Sequence, residues 1–408
     1  LDLYRYLQKH DRSYQYHLVS QNGSRSEISM VSQTWQGVKW THTILLQKPT
    51  KIRHKHLGIL YITGDGPRKG DLIDLALASQ ASGLPVAMLF DIPNQPIDGH
   101  REDDLIAYTF EKYLEQPDPN LPLLFPMTKS AIRAMDTIQK FTRRSDDPID
   151  EFVVVGASKR GWTTWLVGAS GDRRVKAIVP MVFDNLNFAA QMHKQMENWG
   201  KYSDQIQDYT NRGLQAQLET PRGAELESMV DPYSYRRYIR EPTLIVKGSN
   251  DPYWSADSLD VYWSQLHQPK WLLTVPNTGH TLGDGLMAVE TIGSFAQAVA
   301  GDFAMPAIDW QYSRESGSAR LVVSSKKAPY TTATLWVAES DTLDFRQAKY
   351  VRFATLDADV TSPNEAENEF DFKLSPDKNV AMFAELRYRI DGHEFSLSTP
   401  TEVFKKTP

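Results

Sequence analysis

Glu151–Ala169 reads EFVVVGASKRGWTTWLVGA, and the rest of the chain is organised around this stretch. Phe152–Val155 is a short β-branched apolar run, the pattern of a buried strand. Gly156-Ala157-Ser158 then turns, and Arg160–Val167 opens a helical pattern with Trp162, Trp165 and Leu166 near one face. A serine at a tight strand-to-helix turn can present its hydroxyl as a nucleophile, while the helix N-terminus offers backbone N–H groups to a developing oxyanion. The common form of such a turn is G-x-S-x-G; here the second glycine, Gly161, comes one residue later. On this stretch alone Ser158 reads equally well as a helix N-cap, a position where serine is favoured.

Two downstream loops favour the nucleophile. A serine nucleophile needs a base, and the base needs an acid to orient it. Gly248-Ser249-Asn250-Asp251-Pro252 follows the apolar run TLIVK, and Pro276-Asn277-Thr278-Gly279-His280 follows KWLLTV. The order Ser158, Asp251, His280 is one of the known chain orders of such triads, and both partners follow a strand end, where the serine also sits. The bland alternatives are that Asp251-Pro252 after a strand is just a turn and that the Gly279-His280 loop is structural. The arrangement is more specific than its parts. Asp257, Asp260 and Asp284 are fallback acids. For the oxyanion, the Lys159 N–H is one expected donor, and Gly64 or Asp65, in the loop Gly64-Asp65-Gly66, supplies the second. That loop also reads as a plain tight turn, and it lacks the Gly-Lys-Ser/Thr of a phosphate loop.

The 408 residues suffice for one large α/β domain and a smaller one. Apolar residues make up 41%, and the mean hydropathy is −0.46. No apolar run approaches the roughly 18 residues of a membrane span. The net charge of −6 with mixed signs gives no basic footprint for nucleic acid. Absence of cysteine excludes disulfides, thiolate metal sites and a cysteine nucleophile. The sequence starts at Leu1 with no charged-then-apolar leader; a removed signal peptide and simple trimming both account for that.

From about residue 56 to 182 strands and helices alternate, which predicts a mostly parallel sheet with right-handed crossovers. Strands are expected at 56–63, 84–91, 152–155, 175–182, 243–247 and 270–275, and helices at 71–82, 102–114, 129–141, 256–266 and 286–300. Earlier strands around 14–18, 27–33 and 41–47 read as antiparallel. Residues 184–240 break the rhythm with a polar, aromatic-rich, helical stretch, expected to be a lid insertion. Trp199 and Tyr202 are its candidate substrate-facing aromatics, although lid aromatics more often serve packing. After Pro306 only short strands are expected, at 320–324, 333–338, 350–354, 379–390 and 394–398. The division is therefore 1–305, an α/β domain carrying the lid, and 306–408, an immunoglobulin-like β-sandwich.

Other clusters are weaker. His54 and His56 share a strand face without a third metal ligand. Glu102-Asp103-Asp104 opens a helix, where acids suit the dipole; the alternative is a carboxylate cluster holding a substrate amine, with Glu197 as a further candidate. No cofactor and no metal are expected.

The blocks ITGDG, DIPNQP, EDDLIAYTF, PMTKSAIRAMDT, VVGASKRGWTTWL, MVFDNLN, KGSNDPYW and PNTGH, spread over most of residues 1–300, resemble the PhoPQ-activated pathogenicity-related proteins. The resemblance implies an α/β-hydrolase-like fold with an added β-sandwich, also similar to dipeptidyl and prolyl peptidases. It implies secretion or a periplasmic location and a serine hydrolase with Ser158, Asp251 and His280 as its triad, but no substrate. The expected partner is a small peptide or ester. The alternative is a non-catalytic secreted binding or signalling protein that meets a protein partner through the sandwich.

Overall fold

The computed structural model describes residues 1–407. A short helix α1 (Asp2–Gln8) leads into strands β1 (Gln15–Asn22), β2 (Arg25–Trp35), β3 (Val38–Gln47) and β4 (His56–Ile62). Alternation follows through α2 (Lys69–Ser82), β5 (Val86–Leu89), α3 (Glu102–Glu115), α4 (Leu124–Thr142), β6 (Ile149–Ala157), α5 (Lys159–Ala169) and β7 (Val175–Met181). The helical insertion comprises α6 (Phe188–Trp199), α7 (Gln207–Thr210), α8 (Leu214–Gln217) and α9 (Pro221–Val230), with 3₁₀ turns between them. Then come β8 (Thr243–Gly248), β9 (Lys270–Val275) and α10 (Leu286–Val299). From β10 (Ala307–Glu315) on, every regular element is a strand: β11 (Ser318–Lys326), β12 (Thr332–Ser340), β13 (Val351–Asp357), β14 (Asp359–Ser362), β15 (Glu365–Lys373), β16 (Asn379–Ile390), β17 (His393–Ser398) and β18 (Glu402–Phe404).

The chain forms two compact units. The first holds Leu1–Ala190, Asp204–Thr243 and Ser264–Pro269; the second holds Gln191–Ser203, Leu244–Trp263 and the chain from Lys270 onward. The strand order in the first is β1-β2-β3-β5-β4-β6-β7. β1, β2, β3 and β5 pair antiparallel in succession, whereas β5, β4, β6 and β7 pair parallel. β6 is flanked by a strand on each edge, and Val153, Val154 and Val155 are fully buried, which is why this run is apolar throughout instead of alternating.

In the second unit β8 and β9 are neighbours, and the C-terminal strands make two antiparallel sheets, β10-β11-β15-β14 and β13-β12-β16-β17, with β18 added to β16. Ala338, Phe345, Tyr350, Ala381 and Phe383 form one buried cluster there. Four of these strands, β10, β14, β15 and β18, lie outside the strand expectations. β15 (EAENEFDFK) has mostly solvent-facing acids and buries only Ala366 and Phe370, so its apolar signal is thin. The helix expected at 256–266 is instead two 3₁₀ turns, Ser258–Val261 and Trp263–Gln265. Leu259 and Tyr262, three apart, are buried there, a spacing that suits three residues per turn, and Tyr262 leaves helical geometry at φ −146°.

Candidate active site

Ser158 is the single residue between β6 and α5, at φ +59° and ψ −125°. For a residue with a side chain this backbone costs on the order of 1–3 kcal/mol and persists only when the surroundings impose it. They do: the Ser158 N–H donates to the Met181 carbonyl at 2.9 Å on the adjacent β7, and the Ser158 carbonyl accepts from the Trp162 N–H at 2.9 Å. The hydroxyl makes no capping hydrogen bond. The helix-cap reading of Ser158 therefore does not hold, and the side chain is left over from the structural work of the turn.

The displaced second glycine has a steric reason. A Cβ at Gly156 would lie 2.3 Å from the Arg160 carbonyl oxygen and 2.6 Å from Thr164 Oγ1, so the first helical turn packs directly on the strand end. A Cβ at Gly161 would lie 2.7 Å from the Met181 oxygen, the same carbonyl that holds the Ser158 N–H. The helix thus packs against the β7 backbone at residue 161, and there a side chain has no room.

The two residues after Ser158 are pinned by charge. Lys159 Nζ lies 2.9 Å from Glu102 Oε2 and 3.0 Å from Asp103 Oδ2, and Arg160 Nη2 lies 2.9 Å from Glu102 Oε1 while its Nε donates to the Ile92 carbonyl at 2.6 Å. Burial alone would raise the Glu102 pKa. Arg160 and then Lys159 outweigh it through hydrogen bonds and charge, and hold it down at about 2. Gln95 joins this network, donating to Glu102 Oε1 and to Asp65 Oδ1, both at 2.9 Å. Asp65 also pairs with Arg101. Gly64 has a steric role: a Cβ there would sit 2.5 Å from Arg160 Nη2. Glu102-Asp103-Asp104 is thus more than a dipole-favoured helix start. Glu102 and Asp103 are taken up by Lys159 and Arg160, Asp103 also accepts from Tyr209 at 2.9 Å, and Asp104 binds Arg212 at 2.8 Å. Tyr209 lies in α7 and Arg212 follows it, so this corner of the insertion is tied to α3. A second tie runs from Trp162 Nε1 to the Val230 carbonyl at 2.7 Å, and Trp162 stacks on Phe183 with ring centroids 5.1 Å apart.

Asp251 and His280 meet in the second unit. His280 Nδ1 lies 2.8 Å from Asp251 Oδ2, and since a carboxylate only accepts, the ring donates there. The other ring nitrogen, Nε2, is buried without a hydrogen-bond partner. Asp251 is buried, its second oxygen accepts the Tyr253 N–H at 3.0 Å, and the Tyr253 ring stacks on the imidazole at 4.0 Å between centroids. The two loops interlock: the Asn250 N–H donates to the Thr278 carbonyl at 2.9 Å, the Asn277 N–H to Ser249 Oγ at 2.7 Å, and a Cβ at Gly248 would lie 2.4 Å from the Gly279 carbonyl oxygen. Two side-chain amides then fasten both loops to the segment before β13. Asn250 Nδ2 donates to the Ala348 carbonyl at 2.6 Å; Asn277 donates to the Tyr350 carbonyl at 2.9 Å and accepts the Tyr350 N–H at 2.8 Å.

The remaining candidates fall as follows. Trp199 lies under the Arg346 guanidinium, 3.7 Å from its ring centroid, and Arg346 is paired with Asp344 at 2.6 Å. Tyr202 is half-buried in the loop after α6. Glu197 is an exposed partner of Lys405 at 2.9 Å, and His56 pairs with Asp150 at 3.2 Å. Sequence reasoning missed Met181, Arg160, Tyr253, Asn250 and Asn277 as supports. The asparagines sit in loops where asparagine reads as an ordinary turn residue.

The family model of the PhoPQ-activated pathogenicity-related proteins matches residues 3–346. The chain belongs to that family. Ser158, Asp251 and His280 all lie within the match, which continues past residue 300 into the strands after β10. Autocrine proliferation repressor protein A of Dictyostelium discoideum is 32% identical over 347 residues, 78% of this chain and 70% of that protein. Among solved structures, this family member is similar to an acetyl xylan esterase from Paenibacillus sp. R4. The TM-score is 0.51 at 17% identity, covering 73% of this chain and 92% of the esterase. That likeness shows the fold, an α/β-hydrolase sheet with helices, to which this chain adds its C-terminal antiparallel sheets.

Proposed function

We propose that this protein is a serine hydrolase that works by acyl transfer through Ser158, His280 and Asp251. Ser158 Oγ attacks the carbonyl of the substrate, and His280 Nε2 takes the hydroxyl proton and returns it to the leaving group. Asp251 fixes the ring tautomer and stabilises the imidazolium. The N–H groups of Lys159 and of Gly64 or Asp65 hold the oxyanion, and water then releases the acyl group. Trp199 and Tyr202 are proposed to face the substrate. The observation that carries this reading is the strained, uncapped Ser158 between β6 and α5. A buried imidazole nitrogen, His280 Nε2, that makes no hydrogen bond and so is open to a proton supports it.

The bond cleaved is a peptide or an ester. An amine-anchored, aminopeptidase-like or dipeptidyl-peptidase-like substrate needs carboxylates to receive its ammonium. Glu102 and Asp103 are already engaged with Lys159 and Arg160, and Glu197 with Lys405, which favours the ester. A secreted or periplasmic location fits the family. Among the described residues no helix is long and apolar enough to cross a membrane. The relative named as a proliferation repressor supports a second reading, a signalling protein on a hydrolase scaffold that engages a protein partner through the C-terminal sheets.

The test is a panel of short-chain acyl esters and dipeptidyl amides run against the wild type and Ser158→Ala. Turnover of an ester that disappears in the variant is the expected result. No turnover of any member, with biological activity retained by Ser158→Ala, overturns catalysis as the source of that activity.

A further inference from the structure

The block PMTKSAIRAMDT contributes a lysine that the proposed reaction does not use. Lys129, on α4, is 4% exposed, and it lines a cavity of about 200 Å³ together with Tyr6, Lys9, Asp11, Trp35 and Asn120. Its ammonium donates to the Lys9 carbonyl at 2.7 Å and lies 5.4 Å from the Tyr6 ring centroid, both groups of the cavity wall. Among the described residues no carboxylate comes within 4 Å of it. Burial, with Arg133 and Lys9 nearby, lowers its pKa to about 8, and Asp11 offsets this only in part. Asp11 is otherwise occupied, accepting the N–H groups of Ser13 at 2.8 Å and Thr34 at 2.7 Å. A second ammonium, Lys9, reaches the side-chain carbonyl of Asn120 and also has no carboxylate partner.

A buried cation without a counter-ion is costly, and an anion entering the cavity relieves that cost. We propose that this cavity is a binding site for a small organic monocarboxylate. Among the lining side chains, with His10 neutral, two ammonium groups against one carboxylate leave a net charge of +1, which matches a monoanion and disfavours a dianion such as phosphate. Tyr6 and Trp35 offer aromatic faces to the organic part, and Lys129 Nζ keeps donors for a carboxylate beyond the one used on Lys9. The volume of about 200 Å³ suits a small ligand such as a simple aliphatic or monocyclic acid.

The experiment follows acetylation of Lys129 by an N-hydroxysuccinimide ester in the full chain at pH 8, read by peptide mass mapping with exposed Lys55 as internal reference. Benzoate is the probe, with chloride at equal ionic strength and inorganic phosphate as comparators. Benzoate is expected to slow acetylation of Lys129 by about fivefold or more and to leave Lys55 unchanged. Asp11→Asn should strengthen the protection and Lys9→Met weaken it, each by about tenfold in benzoate concentration, as expected for one unit charge at a partly screened site. Lys9 is exposed, so its variant tests the site without disturbing the core. Equal protection by chloride or by phosphate overturns the proposal. So does protection by benzoate that neither variant alters.

Discussion

Ser158 and His280 are held in place by opposite means. The serine is placed by backbone: two glycines that admit no Cβ, one carbonyl on the neighbouring strand, and a strained dihedral pair where α5 approaches β6 and β7 closely. The histidine is placed by side chains: a carboxylate behind it, a tyrosine ring against it, and two asparagine amides that tie its loop and the acid's loop to residues 345–350. The first arrangement is local, within about 30 residues from Glu151 to Met181. The second spans 98 residues from Asn250 to Ala348 and 73 from Asn277 to Tyr350. A role for the C-terminal strands follows. In the second unit, the segment leading into β13 fastens the loops that carry Asp251 and His280.

The largest expected effect separates chemistry from folding. Ser158→Ala should lower kcat/KM on a responsive ester by about four orders of magnitude or more, with His280→Ala similar and the double variant little worse, because the groups act as a unit. Its thermal unfolding should stay near that of the wild type, since the hydroxyl caps nothing. A loss that adds up across the double variant would separate the two residues.

Gly156→Ala should strike the backbone-built half. With the new Cβ 2.3 Å from a carbonyl oxygen, helix and strand must part, at a cost of about 3 kcal/mol. Denaturant unfolding measures this, and a neutral result would refute the steric account of the turn.

The side-chain-built half should respond differently. Asn277→Gly keeps the left-handed backbone at φ +55° and removes the amide. Stability should fall by about 1–2 kcal/mol. Turnover should fall by about ten- to a hundredfold through a misplaced imidazole. An unchanged kcat would show that the tie to Tyr350 does not position the base.

The smallest effect concerns Glu102. Its folded pKa of about 2 lies below the ordinary carboxylate value, so its ion pairs stabilise the fold at pH above the ordinary value, near 4.5. That stability is lost as pH falls from there toward 2. Because the carboxylate is 40% exposed, screening limits the contribution to about 1 kcal/mol. The difference in stability between wild type and Glu102→Gln, followed by urea unfolding, should therefore shrink between pH 5 and pH 2.5; a constant difference would place the effect elsewhere.

The same contrast explains what could be read from the residues. The elbow was legible because its determinants are neighbours in the chain: β-branched strand, small turn, apolar helix face. Even the late glycine was visible as a departure, though only the Met181 carbonyl explains it. The acid and base candidates were legible as loop residues after apolar strands. Their supports were not, since an asparagine that binds a carbonyl 98 residues away looks like any turn asparagine. The acids at 102–104 do open a helix, as their sequence position implies, but their ion pairs were not legible, for the same reason. Their helix position was visible, whereas their partners Lys159, Arg160, Tyr209 and Arg212 come from distant elements. Strand β15 was hidden by its acids, and the 256–266 segment by an apolar spacing that serves a 3₁₀ turn as well as a helix.

The central claim is that the two differently built halves work as one catalytic unit. The rate of fluorophosphonate labelling, mapped by peptide mass spectrometry in the wild type and in His280→Ala, tests it most directly, because it needs no knowledge of the substrate. The account predicts Ser158 as the single labelled residue and a fall in its rate of about a hundredfold or more in His280→Ala, with unfolding unchanged. Labelling at another residue, or a Ser158 rate indifferent to His280, would contradict it.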